Sequence, residues 1–245
     1  MPRYRLTLEY DGTPYVGWQR QPDRPSVQQS LETAINGFSG EHVDVQAAGR
    51  TDAGVHAFGQ VAHFDLERQW DAFRVGQAIN FHLKPQPIVV IACEMVDERF
   101  QARFSALSRH YIYKILNRRA RPTLQLNRVW HVPVELDAEM MHEAAQVLVG
   151  EHDFTTFRAA ECQSKSPVKT LDKIQVDNIG EEIFVRVSAK SFLHHQVRSI
   201  TGSLKMVGEG KWGTKDLENA LNAKERSWCA PMAPAAGLYL VSVDY

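Results

Sequence analysis

The sequence contains few cysteines, and their spacing excludes the common cysteine-based sites. Cys93, Cys162 and Cys229 are the three cysteines, and they stand 69 and 67 positions apart. An odd number of isolated cysteines without a CxxC pair argues against a disulfide framework and against a cysteine zinc site. The motifs HExxH, GxxxxGK[ST] and GxSxG are also absent, so nothing supports a zinc protease, a P-loop nucleotide-binding protein or a hydrolase with a nucleophile elbow.

Long apolar runs are missing as well. Runs such as IVVIAC are far shorter than the roughly 20 residues that a membrane-spanning helix needs. The N-terminus, MPRYRLTLEYDG, has no apolar block of a signal peptide and begins with strand-like alternation. We therefore expect a cytoplasmic protein without a membrane segment. The content of 44% hydrophobic residues is typical of a globular protein, and the length of 245 residues allows one large domain or two compact halves.

The chain as a whole has no excess of one charge, since its net charge is −1. The charges are unevenly distributed, however. Residues 99–128 contain eight Lys or Arg and no Asp or Glu, and they also carry Phe100, Phe104, Tyr111 and Tyr113. Basic residues interleaved with aromatic ones suit a surface that binds phosphates and stacks on bases. A solvated basic face is the alternative, and this segment alone does not decide between them.

Hydrophobic periodicity predicts an α+β fold. Strands are expected over residues 3–10, 43–48, 60–65, 86–96, 109–116 and 237–245, with a hairpin over 168–190. Helices are expected to begin after Ser26, after Asp71, after Asp137, near His194 and at Thr214.

This order approximates two copies of a β-α-β-β-α-β pattern, one in residues 1–105 and one in residues 106–245. The pattern predicts two ferredoxin-like halves that are similar to RNA-recognition modules. We expect them to join into one mainly antiparallel sheet with helices on one face. The other face of such a sheet is open to RNA.

One acidic residue, Asp52, lies in the segment AAGRTDAGVHAFGQVAHF. Gly49 and Gly54 allow a sharp turn that presents this side chain outward. An Asp beside a glycine usually only hydrogen-bonds its own turn. Because this loop joins two strand-like segments, where catalytic residues often sit on a rigid scaffold, Asp52 is nevertheless a candidate catalyst. No metal site is expected, since nothing in the spacing places His56 and His63 on one face with Asp52.

Several basic and aromatic residues are candidates for substrate contacts. Arg50 offers a cation to an RNA phosphate. Arg198 lies on the predicted helix away from its apolar stripe, where it is either solvated or paired with an acid that it keeps ionised. Tyr111 is expected to share one side of its strand with Arg109, as part of the core or of a cleft. Trp18 is either a core anchor or an RNA-facing ring.

Taken together, these motifs resemble the tRNA pseudouridine synthase A family, the tRNA pseudouridine(38–40) synthases. The resemblance covers nearly the whole chain, and the GRTDAGVHA block is highly specific. One departure is NFHLKPQPI, where Lys84 stands between Leu83 and Pro85 of the usual N-x-x-L-P form. The other matching segments are LEYDGTPYVGWQRQ, SVQQSLETAI, FQARFSALSRHYIYKI, GEHDFTTFRA, SFLHHQVRSITGSL and GLYLVSVDY.

The resemblance implies a pseudouridine synthase fold and an isomerase that converts uridine to pseudouridine at positions 38, 39 and 40 of the tRNA anticodon stem-loop. It assigns Asp52 as the catalytic nucleophile, Arg198 as its ion-pair partner and Tyr111 as the residue that stacks on the target base. No atoms are gained or lost in the reaction, so no cofactor or metal is implied. A homodimer is implied as well. The further tRNA contacts that we expect are Arg50, Arg103, Arg109, Trp18 and Arg20.

Two other functions are alternatives to this one. A non-catalytic RNA-binding protein with tandem RNA-recognition-like halves would explain the basic segment. It would not need the acid, so the set of Asp52, Tyr111 and Arg198 argues against it. A small-molecule isomerase or glycosidase would need a second carboxylate near Asp52, and no spacing suggests one.

Overall fold

The structure, a computed structural model, describes residues 1–245 and confirms an α+β protein. Cα packing divides the chain into a first unit, residues 1–107 with 239–245, and a second unit, residues 108–238. The last strand therefore belongs to the first unit, whereas the sequence pattern assigned it to the second half. The two ferredoxin-like halves stay a prediction.

Ten strands and five α-helices make up the two units. The strands are β1 (Arg3–Tyr10), β2 (Gln46–Ala47), β3 (His56–Asp65), β4 (Ile88–Val96), β5 (Ser108–Asn117), β6 (Trp130–Val132), β7 (Gly150–Asp153), β8 (Val168–Ile179), β9 (Glu182–Ala189) and β10 (Leu238–Asp244). The helices are α1 (Val27–Ser39), α2 (Ala72–Leu83), α3 (Ala138–Ala145), α4 (Gln196–Gly208) and α5 (Thr214–Ala223).

The sheet of the first unit has the strand order β4-β1-β3-β10. β1 pairs antiparallel with both β3 and β4, β2 pairs antiparallel with β3, and β10 runs parallel to β3. The alternation in β1 buries Tyr4, Leu6 and Leu8, as the sequence predicts. α1 and α2 pack against each other, and α2 packs on β4.

The sheet of the second unit has the strand order β5-β9-β8-β7, with all three pairs antiparallel and β6 parallel to β5. α3 packs on β8 and against α4. β8 and β9 form the predicted hairpin. No helix in the chain combines the length and the apolar character that a membrane crossing requires.

Three helices begin where the sequence predicts them, and each has a side-chain N-cap. The oxygens of Ser26, Asp71 and Asp137 each accept a hydrogen bond from the backbone N–H three residues on, at the first turns of α1, α2 and α3. A cap satisfies an N–H that has no partner inside the helix. The predicted starts after these residues are confirmed.

Other boundaries differ from the prediction. β2 has two residues instead of six, and β3 begins at His56 rather than at position 60, so regular strand extends almost to the Asp52 loop. β6 and β7 were not predicted. β6 has three residues, and β7 has the polar sequence GEHD, so neither shows an alternation of apolar and polar residues.

An ion pair ties the start of the chain to the end of β3. Arg3 Nε and Nη2 donate to the two Asp65 carboxylate oxygens at 2.8 and 2.7 Å. The Arg3 guanidinium lowers the pKa of that carboxyl below its ordinary value of 3.8. Arg3 Nη1 also donates to the carbonyl of Phe100 at 2.7 Å, so the same side chain fixes the turn that follows β4.

Candidate active site

Asp52 lies in a tight turn that leads into β3, and its side chain is half-buried. The N–H of Val55 donates to the Asp52 carbonyl at 3.1 Å and closes the turn. Gly54 has a φ of 76°, in the left-handed region, as the predicted turn requires. Gly49 is not among the glycines with positive φ, so only one of the two flanking glycines has that conformational role.

The loop that follows β1 holds the Asp52 turn from one side. Trp18 N–H donates to the Thr51 carbonyl at 3.0 Å, and Gly17 and Asp52 form an isolated antiparallel bridge. Gly17 has a φ of 107°, and a Cβ at this position would lie 2.4 Å from the Thr51 carbonyl oxygen. Any larger residue would therefore push the two segments apart.

Buried polar side chains hold the same turn from the sheet. The Tyr10 hydroxyl and Thr51 Oγ1 are hydrogen-bonded at 2.8 Å, and Gln60 Nε2 donates to the Gly49 carbonyl at 2.7 Å. Burial raises the pKa of Tyr10 to about 12, so the phenol stays neutral at ordinary pH. The backbone on both sides of Asp52 is thus fixed by groups shielded from water.

We expect Tyr10→Phe to weaken this support. The ring is retained, but the buried Thr51 hydroxyl loses its bond to Tyr10, which typically costs about 1–3 kcal/mol. The free energy of unfolding in urea should fall by about that amount, and uridine isomerisation, proposed below, should slow because the Asp52 turn loosens.

Tyr4→Phe is the matched control, because the Tyr4 hydroxyl also makes two partly buried hydrogen bonds, to Trp70 O at 2.9 Å and from Trp70 N at 2.7 Å. This variant should lose stability and keep its turnover rate. Equal turnover in both variants would show that the Tyr10 bond does not support the active turn.

The two histidines of the segment have structural partners in the first unit. His56 is buried, its Nδ1 accepts from the N–H of Gly12 at 3.0 Å, and its ring stacks on Tyr239 at 4.6 Å between centroids. His63 Nδ1 accepts from the N–H of Ala102 at 3.2 Å, and burial lowers the pKa of His63. Both are satisfied histidines, as expected.

The predicted substrate contacts of the first unit differ in their exposure to solvent. Trp18 is 2% exposed and packs near Tyr10, with 6.4 Å between ring centroids, which corrects the expectation that its ring faces RNA. Arg50 and Arg103 are exposed. Arg20 is exposed as well and forms an ion pair with Glu32.

Tyr111 and Tyr113 are two positions apart in β5, so their side chains lie on the same face of the strand, but their surroundings differ. Tyr113 is fully buried, donates to the Pro234 carbonyl at 2.7 Å, and has its pKa raised by burial. Tyr111 is only half-buried, and its ring packs edge-to-face against Phe192 at 5.2 Å between centroids. Tyr113 is therefore a core residue, and Tyr111 is the ring of this strand that retains exposed surface.

Arg109, one of the expected tRNA contacts, is largely buried. It is 8% exposed, and its Nη1 donates to the Lys190 carbonyl in the segment between β9 and α4. That segment also contains Phe192, so Arg109 fixes the part of the chain that supports the Tyr111 ring. Arg109 therefore positions this segment, and its contact with tRNA stays a prediction.

Arg198 is the third residue of α4 and is half-buried. Its Nε donates to the Ala233 carbonyl at 2.9 Å, and its own carbonyl accepts from Ala233 N at 3.1 Å. One turn further on, a Cβ at Gly202 would lie 2.0 Å from the Pro231 carbonyl oxygen. Glycine at this position lets residues 231–233 approach the helix, and that segment fixes the guanidinium.

Some of these supporting residues escaped the sequence interpretation. Tyr10 and Gln60 are polar residues in strands, and nothing local indicates that they meet the Asp52 turn. Phe192 belongs to the segment SFLHHQVRSITGSL, which matches the family, but the motif does not indicate the contact of Phe192 with Tyr111. Gly202 does carry a signal in the sequence. A glycine inside an otherwise helical pattern often indicates that another backbone segment approaches closely.

A model of the tRNA pseudouridine synthase family matches residues 7–105 and 144–245 of the chain. The chain belongs to this family. The resemblance seen in the motifs is thereby confirmed, and with it the class of isomerases that act on tRNA uridine.

Relatives match over the full length. A tRNA pseudouridine synthase A of Xanthobacter autotrophicus is 59% identical, and one of Afipia carboxidovorans is 58% identical, each covering 100% of both chains. A solved Cbf5-Nop10-Gar1 complex aligns with 97% of this chain and 58% of the compared chain, at 11% identity and a TM-score of 0.34. That likeness is too weak to inform the fold.

Proposed function

We propose that this protein isomerises uridine to pseudouridine in tRNA. The observation that carries the proposal is the family match, which spans both units of the chain and includes Asp52 and Arg198. The rigid turn around Asp52 supports it, because a catalytic group must be held close to its productive geometry.

The reaction exchanges one glycosidic bond for another. The bond between N1 of uracil and C1′ of the ribose breaks, and a bond between C5 and C1′ forms. The hydrogen on C5 is lost to solvent and N1 gains a proton, so the overall composition is unchanged. An ionised carboxylate can start this sequence as a nucleophile at C1′, as a nucleophile at C6 of the base, or as a base at C2′.

We assign the carboxylate role to Asp52. Arg198 serves as its ion-pair partner, and Tyr111 covers the target base. The fixed Arg198 guanidinium supports the second assignment, since a preorganised cation stabilises developing charge without rearranging. The partly exposed Tyr111 ring, supported at its edge by Phe192, supports the third, because an aromatic face stacks on a base extruded from its helix.

The substrate site that we propose is the anticodon stem-loop at positions 38, 39 and 40, bound by two ferredoxin-like halves. The names of the relatives support the tRNA substrate. Arg50, Arg103 and Arg20 remain candidates for phosphate contacts because they are exposed cations. A protein that acts on tRNA is expected in the cytoplasm.

Tritium release tests this function. The wild-type protein should release label from a tRNA transcript that carries tritium at C5 of uridine. Transcripts with cytidine at positions 38, 39 and 40 should release none above background. Release that persists from those transcripts would contradict the proposed positions, and no release from any tRNA would contradict the activity.

We also propose that the protein is a homodimer. Exposed apolar side chains on the edge strand β4 support this, namely Val89, Ile91 and Met95, since such groups mark association surfaces. Sedimentation should give twice the chain mass of 27.8 kDa. Ile91→Asp should shift the equilibrium towards the single chain, and a wild-type protein that sediments as one chain would contradict the proposal.

A further inference from the structure

Phe104 is an apolar side chain that the fold leaves in water. It is 76% exposed, on the turn between β4 and β5. An exposed ring of this size is informative because folding normally buries aromatic side chains. Phe104 belongs to the basic and aromatic segment of residues 99–128.

The turn that carries Phe104 is firmly fixed. Ala102 is fully buried, its N–H donates to His63 at 3.2 Å, and its carbonyl accepts from the Tyr245 hydroxyl at 2.8 Å. Ser105 N–H donates to the Gln101 carbonyl at 2.8 Å. The exposure of the ring is therefore imposed by the fold and not by a loose segment.

A cation accompanies the exposed ring. The guanidinium carbon of Arg103 lies 5.4 Å from the centre of the Phe104 ring, within the range of a cation–π contact. An aromatic face beside a guanidinium is the combination that binds single-stranded nucleic acid, with the base on the ring and the phosphate on the cation.

The ring also lies on the scaffold of the Asp52 turn. Ala102 shares one buried cluster with Ala48 and Val61, and Ala48 stands four residues before Asp52. Asp52 is four residues from Ala48, and Phe104 is two residues from Ala102. At up to ~3.6 Å per residue, Phe104 therefore lies within about 30 Å of Asp52. An RNA arm that delivers a uridine to Asp52 can reach Phe104.

We propose that Phe104 and Arg103 form a binding site for an unpaired base of the tRNA substrate. The base stacks on the Phe104 ring, and the Arg103 guanidinium binds a neighbouring phosphate. This inference rests on the proposed function for the identity of the RNA. Phe104 acts in binding and not in the chemical step.

The affinity for unmodified tRNA transcript, measured by fluorescence anisotropy with the full-length protein, tests the site. Phe104→Ala should weaken binding by between about fivefold and about a hundredfold, the loss expected for one stacked base. KM should rise with kcat unchanged. Phe104→Trp should bind like the wild type, and Phe104→Leu, which keeps the apolar bulk without the aromatic face, should bind like the Ala variant.

Salt dependence separates the two members of the site. Arg103→Ala should lower the slope of log affinity against log salt concentration by about one, because one phosphate contact is lost. Phe104→Ala should leave that slope unchanged. The control is Phe73→Ala on α2, which should bind tRNA like the wild type, since Phe73 is an equally exposed ring (72%) outside the proposed site.

Three results would overturn the inference. They are wild-type affinity of Phe104→Ala, wild-type affinity of Phe104→Leu, and a changed sedimentation mass of Phe104→Ala, which would make the ring a protein contact. Tritium release by the wild type tests the proposed function, whereas the affinity of the Phe104 variants for tRNA tests the site. If the wild type releases label and Phe104→Ala binds normally, only the present inference fails.

Discussion

Asp52→Asn is expected to stop the isomerisation of uridine. The amide has the size of the carboxylate but no negative charge, so it is neither an effective nucleophile nor a base. Loss of a catalytic group of this kind typically lowers the rate by a factor on the order of 10³ to 10⁶. Single-turnover tritium release with enzyme in excess over tRNA measures the chemical step directly.

The same variant should fold and bind tRNA normally. The Asp52 turn is held by the Tyr10 hydroxyl, the Gln60 amide and the backbone of residues 15–18, none of which the substitution removes. Asp44→Asn is the control, since Asp44 is an exposed acid eight positions earlier. A rate within about tenfold of the wild type for Asp52→Asn would remove Asp52 from the chemistry, because that loss is far below the effect of a catalytic group.

Arg198→Ala is expected to produce the second largest loss, a fall in kcat on the order of 10² to 10³, as seen when one preorganised electrostatic group is removed. The substitution removes the cation that we assign to Asp52 and the bond from Nε to the Ala233 carbonyl. Because this interaction serves the reacting carboxylate, kcat should fall while KM changes little. Arg198→Lys should restore only part of the rate, because an ammonium cannot reproduce the planar guanidinium fork.

Lys205→Ala on the same helix is the matched control. Lys205 pairs with Glu209 at 2.5 Å and lies two turns beyond Arg198. Its loss should leave kcat unchanged. If Arg198→Ala raised KM and left kcat unchanged, Arg198 would be a tRNA contact and not the partner of Asp52.

The sequence predicts those parts of the fold that depend on local chemistry. Ser26, Asp71 and Asp137 mark helix starts because each side chain caps an N–H three residues away. β1 and the hairpin of β8 and β9 follow from alternation. The two-residue β2 and the short polar β7 exist only because a longer neighbouring strand offers hydrogen-bond partners, which no local pattern reports.

In the candidate site, too, the features that depend on contacts between distant parts of the chain could not be predicted from the sequence. Motif resemblance singles out Asp52, Tyr111 and Arg198, and the structure shows how their own elements hold them. Trp18 and Arg109 were both among the expected tRNA contacts, and no local pattern indicates that either side chain is buried. Burial of Trp18 beside Tyr10, and the bond from Arg109 to Lys190, are set by contacts between distant parts of the chain.

The role of Asp52 in isomerising uridine is tested by measuring released tritium and pseudouridine in the same reaction. Wild type and Asp52→Asn are each incubated with tRNA labelled with tritium at C5, and the RNA is then digested to nucleosides. We expect one pseudouridine for each tritium that the wild type releases, and neither product from Asp52→Asn. Pseudouridine formed by Asp52→Asn at the wild-type rate, or tritium released without pseudouridine, would contradict this expectation.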